Sequence, residues 1–307
     1  MLLSVAICTW NRADLLAKAL DNLASIDGVD DLDWELLLVN NNCSDHTDQV
    51  IARSAERLPV RRLFEPEQGL SNARNAAVAQ AAGRYILWTD DDIIVGKDWL
   101  TAYVAAFERW PEAAFFGGPI LPVFSDGAPA WLQRTWTLYE AAFASRDLGP
   151  QPQEITREPS KYPFGANYCI RMDLQRQHLY DPAAGRKGRN LIGGEETAVL
   201  DAIAARGLTG RWVPQARVDH LIEKDRQSAR YLRSYFESHG RHIMRSSMTQ
   251  SKAQDMGLRF WHLRRAVSME ARYWAKRAFA PPEVWTQQLA ETSKQWGRLR
   301  ALWSSAA

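Results

Sequence analysis

The sequence predicts an α/β protein: a mostly parallel sheet flanked by helices, with a helical extension at its C-terminal end. Three observations carry this. Apolar, β-prone runs recur at LLSVAIC (2–8), WELLLVN (34–40), VRRLFE (60–65) and YILWTD (85–90). Helical spacing fills the intervals between them, the βαβ rhythm of a parallel sheet. Polar residues cluster where the runs end, the side on which open sheets of this kind bind ligands.

Between the first two runs, Leu15, Leu16, Ala19, Leu20 and Leu23 recur at helical spacing, and Leu100, Tyr103, Val104 and Phe107 do the same after the fourth. Residues 1–124 form the first expected region. After FFGGPILPVF the pattern weakens into a Pro- and Gly-punctuated stretch with Trp131, Trp136, Tyr139, Tyr162, Phe164 and Tyr168, and residues 125–225 are expected to form a substrate-facing half. From 226 to 307 the chain is helical and basic, interrupted by Pro281-Pro282.

Of the 307 residues, 46% are hydrophobic and 24% charged, enough to bury one large core or two linked ones. The net charge of +2 hides an asymmetry. Residues 1–150 carry 12 Lys/Arg against 21 Asp/Glu, whereas 224–307 carry 16 against 6, with five of the thirteen tryptophans. Such a tail points toward anionic surfaces or substrates. Cys8, Cys43 and Cys169 are widely scattered without metal-type spacing, which suggests neither a disulfide framework nor a zinc site and fits a reducing cytoplasm. MLLSVAICTWNR has no basic leader and reads as a strand, and no run of about 18 apolar residues offers a membrane span.

Thr9, Asn11, Asn40, Asn41 and the Asp90 cluster all fall at strand ends. In WTDDDIIV, three carboxylates follow an apolar strand, and burying them unpaired would be prohibitive. A positive partner is required. A divalent cation with oxygen ligands answers the need, since Mg²⁺ is commonly held by one or two carboxylates and substrate phosphates; a solvated acidic turn is the alternative.

Taken in order, ICTWNR, VNNNCSDHT, EQGLSNARN, GRYILWTDDD and GGEET resemble the signature of the inverting family 2 glycosyltransferases, which have a GT-A fold. The resemblance spans roughly residues 3–240. It implies a nucleoside-diphosphate sugar donor, a divalent metal (Mg²⁺ or Mn²⁺) and a carbohydrate or lipid-linked acceptor. It places Thr9, Asn11 and Arg12 at the turn that contacts the nucleotide base, although Thr9 or Asn11 can equally cap the next helix. Asn40 stands where the family usually has an aspartate that accepts a hydrogen bond from the base. An asparagine oxygen can accept that bond, which leaves GDP or dTDP open beside UDP. Asn41 belongs to the same strand end, and Asp45 reads as a helix cap.

By the same resemblance, Arg74 and Asn75 face the diphosphate, with a surface arginine on a packed helix as the plainer reading of Arg74. Asp90 and Asp91 go to the nucleotide and Asp92 to the metal. Gly118, in FFGGP, lets backbone approach a ligand or simply makes a turn. Phe164, Gly165 and Asn167, in YPFGANYCIR, are similar to the acceptor-side segment. GGEET opens a helix whose dipole favours its carboxylates in any case; the resemblance implies that Glu196 is the general base, with Glu195 as substitute. His220 corresponds to a histidine that joins the metal or contacts the diphosphate, where a structural histidine is the alternative.

Two competing classes remain: a nucleotidyltransferase, which usually opens with a Gly-rich phosphate loop that CTWNRAD lacks, and a catalytically silent sugar-nucleotide-binding scaffold. In the tail, Phe260, Leu263, Val267, Ala271, Trp274 and Ala278 form one apolar stripe, and Trp285, Leu289, Trp296, Leu299 and Trp303 another. Such amphipathic helices pack on their own domain, form a homodimer, or lie peripherally on an anionic inner-membrane surface. The charge has no nucleic-acid recognition motif beside it, so no nucleic acid is expected.

Overall fold

The computed structural model describes residues 1–185, 193–247 and 255–304. The portions of the expected 125–225 and 226–307 regions at 186–192, 248–254 and 305–307 lie outside the described residues. The strands are β1 (Leu3–Thr9), β2 (Trp34–Asn40), β3 (Val60–Phe64), β4 (Tyr85–Asp90), β5 (Ile93–Val95), β6 (Phe115–Gly117), β7 (Ile120–Phe124), β8 (Glu154–Ile155), β9 (Asn167–Arg171), β10 (Gly210–Trp212) and β11 (Val218–Ile222). The helices are α1 (Ala13–Leu23), α2 (Thr47–Ser54), α3 (Leu70–Gln80), α4 (Trp99–Arg109), α5 (Ala130–Thr135), α6 (Met172–Gln175), α7 (Glu195–Ala204), α8 (Ala229–Ser246), α9 (Met256–Phe279) and α10 (Pro282–Ser304).

An eight-stranded sheet runs β3-β2-β1-β4-β9-β6-β10-β8. The pairs β1/β2, β1/β4 and β2/β3 are parallel, while β9 lies antiparallel between β4 and β6. Alternation of side chains splits each inner strand between two cores. Val5, Ile7, Leu36, Leu38 and Leu87 pack on one face with α1 and α4, whereas Ala6, Leu37, Val39, Ile86 and Trp88 pack on the other with α3 and α7. All but Ile7 and Trp88 are 0% exposed, and each fully buried Val, Leu or Ile side chain contributes about 1.5–3 kcal/mol by leaving water. In register, Thr9 pairs with Asn40 and Cys8 with Asp90, so three adjacent parallel strands end together.

The chain divides into two compact units, and not at the three expected regions. One comprises residues 1–123, 144–185 and 193–221; the other comprises 124–143, 222–247 and 255–304. The first division falls between Val123 and Phe124. Residues 144–185 and 193–221 rejoin the sheet unit because β9 pairs Trp88 with Tyr168 and Phe116 with Cys169, and β10 extends β6. The stretch expected to face the substrate is thus woven into the main sheet.

The second unit has its own core, with Leu132, Phe143, Leu232, Tyr273, Trp285 and Leu289 buried. Helices α8 and α10 cross closely: a Cβ at Gly240 would collide with the carbonyl of Lys294, and one at Gly297 with that of Glu237. Of the two predicted stripes, Trp285, Leu289 and Leu299 are buried, whereas Phe260, Val267 and Trp274 face outward.

Candidate active site

The sequence demands a positive partner for the buried aspartates, and Arg12 supplies one. It stands immediately before α1, where the chain leaves β1, and its guanidinium reaches across to the end of β4. Nη1 lies 2.6 Å from Asp91 Oδ1 and Nη2 lies 2.8 Å from Asp92 Oδ2. Thr9 Oγ1 donates to Asp91 Oδ2 at 2.7 Å. Burial pushes the Asp91 carboxyl up to about 7, with Arg12 opposing and Asp92 adding to the rise. Asp90, half-buried, completes the run.

Strand β11 brings in His220. It pairs with Ile93 of β5, and Leu221 N donates to the Asp92 carbonyl, setting His220 Nε2 3.3 Å from Asp92 Oδ2. Both side chains are about 4% exposed or less. A buried carboxylate and imidazole at this separation fit a divalent ion in ligand type. Among the described residues no cluster of three His, Cys, Asp or Glu side chains surrounds one point, so two protein ligands would leave the rest to a donor's phosphates.

The second constellation joins α3 to α7. Arg74, 2% exposed, donates from Nη1 to Glu195 Oε1 at 2.7 Å. Its guanidinium carbon lies 5.6, 5.8 and 5.3 Å from the ring centroids of Trp88, Tyr168 and Tyr180. A Cβ at position 165 would occupy the space of Nη2, which explains Gly165. Arg74, expected to face a diphosphate, pairs with Glu195 in a buried aromatic cage. Glu196 follows in the first turn of α7, and its Oε2 is buried with no hydrogen-bond partner among the described residues. Burial pushes the Cys8 thiol up to about 12, with Arg74 opposing and Asp90 and Asp91 adding to the rise.

Several residues expected at ligand contacts also hold the protein's own backbone and side chains. Asn40 donates to Asp48 Oδ1 and accepts from Cys43 N, both at 2.7 Å. Asn41 donates to the carbonyls of Glu65 and Glu67 and accepts from Gly69 N, tethering the loop before α3. Asn75 clamps the backbone of Tyr180 through both amide ends. Asn11, at φ 52°, accepts from Ser44 N. Asp45 takes the expected capping role for two helices, accepting from Ala13 N and Thr47 N.

On the expected acceptor side, Asn167 is 0% exposed and fully engaged: its oxygen accepts from Trp99 and Tyr103, and its nitrogen donates to the carbonyls of Pro119 and Ala216. It has no capacity left for a sugar hydroxyl. Gly118 is likewise packed, since a Cβ there would strike the Ala216 carbonyl and Asn167. Phe164 lies under Arg146, 4.2 Å from guanidinium carbon to ring centroid. Tyr180 was not singled out in the sequence, because its place in the cage depends on a contact between distant segments.

Residues 4–171, more than half of the chain, match the profile described as Glycosyl transferase family 2, and the chain belongs to that family. It is a glycosyltransferase. It is 24% identical to the glucosyl-dolichyl phosphate glucuronosyltransferase of Haloferax volcanii, over 80% of this chain and 77% of that protein. Identity to the succinoglycan biosynthesis protein ExoM of Rhizobium meliloti is 23%, over 75% and 70%. Among solved structures, mannosyltransferase PcManGT from Pyrobaculum calidifontis, in complex with GDP-Man and Mn²⁺, superposes with TM-score 0.62 at 17% identity, over 98% of this chain and 87% of that one. S. aureus TarS 1-349 in complex with UDP-GlcNAc gives TM-score 0.55 at 17% identity, over 80% and 66%. The fold is GT-A, as the motifs imply.

Proposed function

We propose that this glycosyltransferase moves a hexosyl group from a nucleoside-diphosphate sugar to an acceptor hydroxyl with inversion, in polysaccharide, glycolipid or glycoconjugate synthesis. The observation that carries this is Glu196, whose buried Oε2 has no protein hydrogen-bond partner among the described residues, beside a Glu195 already neutralised by Arg74. Glu196 takes the acceptor proton as the acceptor oxygen bonds to the anomeric carbon. The bond from that carbon to the diphosphate breaks in the same displacement, and the nucleoside diphosphate leaves. Asp92 and His220 would hold the divalent metal, which when bound offsets charge on the diphosphate. Thr9 and Arg12 orient the aspartates. UDP is the first donor to test, with GDP and dTDP beside it, and the acceptor is a carbohydrate or a lipid-linked one. The compartment we propose is the cytoplasm, in keeping with three free cysteines.

The test is release of nucleoside diphosphate from sugar donors with Mn²⁺ and an acceptor panel. Glu196→Gln should retain donor binding and lower turnover by about 10²–10⁴-fold. Full turnover in that variant would overturn the assignment.

A further inference from the structure

The outward stripe of α9 has no counterpart in the transfer chemistry. Within the second unit, α9 buries Arg259, His262, Ala266 and Tyr273. The face beside them leaves Phe260 55%, Val267 54% and Trp274 60% exposed, with Ala271 and Ala278 on the same line and Phe279 94% exposed at the end. Beside the buried Arg259, five exposed basic residues, Arg264, Arg265, Arg272, Lys276 and Arg277, share this helix with one acid, Glu270. Glu270 is spent inward, on Arg233 at 2.9 Å and the Trp296 indole. The outward face is therefore apolar along its crest and purely cationic at its flanks, and its full-length exposure is costly in water.

We propose that this face binds the surface of an anionic lipid bilayer, the apolar crest entering the headgroup boundary and the arginines pairing with lipid phosphates. Charge decides the occupant. A second copy would bring the same cationic flanks against these, whereas an anionic leaflet complements them, and bulky aromatic crest residues suit the interface. No helix among the described residues is long and apolar enough to cross a membrane, so the contact is peripheral. The inference stands on the second unit alone and does not depend on the transfer reaction.

The experiment is flotation of the full chain with phosphatidylcholine vesicles and with vesicles containing phosphatidylglycerol, at low and high salt. Mass determination in solution and a thermal melt accompany it. The protein should float with the anionic vesicles, less so at high salt, and stay at the bottom with the neutral ones. The triple variant Phe260→Ser, Val267→Ser, Trp274→Ser should melt as the parent does and partition at least about tenfold more weakly. Because all three side chains are exposed, their removal leaves the core intact. In case the triple variant fails to fold, Arg264→Glu with Arg272→Glu should lower anionic binding and leave the melt unchanged. Failure to float, equal flotation with neutral vesicles, or a dimer that the substitutions convert to monomer would each overturn the proposal.

Discussion

Arg74 and Glu195 form a buried ion pair, Nη1 to Oε1 at 2.7 Å, with each side chain only 3% exposed. The pair spans 121 positions in sequence and fixes the start of α7 to α3. Its guanidinium sits among three aromatic rings, which provide a negative face where water is excluded. The carboxylate next in sequence, Glu196, is thereby held at a defined place, while the charge of its neighbour is already used.

Removing Arg74 should be costly in a specific way. Arg74→Ala leaves Glu195 buried without its cation, and loss of one partner of a buried pair costs about 3–5 kcal/mol. Arg74→Lys keeps the charge but not the planar contact with the rings, so a smaller loss is expected. Chemical denaturation of the three proteins checks the order, and equal stabilities would show that the cage is not a structural element.

Glu195 and Glu196 should separate by phenotype. Glu195→Gln should lower stability together with activity, because Arg74 loses its counter-charge. Glu196→Gln should lower kcat with stability and KM nearly unchanged. Steady-state kinetics beside a melt distinguishes them, and the reversed pattern would make Glu195 the base.

Asp92→Ala should abolish Mn²⁺-dependent donor binding, and His220→Ala should weaken it, since each removes one of the two side chains proposed to hold the metal. Calorimetric titration of the nucleotide with and without Mn²⁺ reads this directly. Unchanged Mn²⁺ dependence in both variants would remove the metal from this position.

Gly297→Val should destabilise the second unit by about 1–3 kcal/mol, because the added carbons meet the carbonyl of Glu237 at the α8/α10 crossing. Proteolysis confined to residues 222–304 is a suitable readout. Parent-like resistance would mean that the crossing yields.

The sheet was legible because its strands announce themselves locally: LLSVAIC became Leu3–Thr9 and WELLLVN became Trp34–Asn40. The helix read from Leu15 to Leu23 begins two residues earlier, at Ala13, where Asp45 caps it from another loop. The aspartate cluster and its need for a cation were also readable, but not that Arg12 meets it, since that pairing joins positions 79 and 80 apart. Asn40, Asn41, Asn75 and Asn167 were expected to serve ligands because they fall within the motifs that carry the family resemblance. Their amides hold loops and strand ends together, a role that depends on partners no periodicity reveals. For α9, one apolar stripe at helical spacing had two outcomes; the face that packs is the one carrying His262 and Tyr273, and the predicted stripe is left outside.

The most direct measurement is a thermal-shift panel of UDP-, GDP-, dTDP- and CMP-sugars, each with and without Mn²⁺. Ligand at about 100 times its dissociation constant stabilises the folded chain by about 2.7 kcal/mol, well within reach of the method. A rise in melting temperature with one nucleoside-diphosphate sugar, dependent on Mn²⁺ and absent in Asp92→Ala, is the result expected. No rise with any of the four, with or without metal, would contradict the proposed donor site.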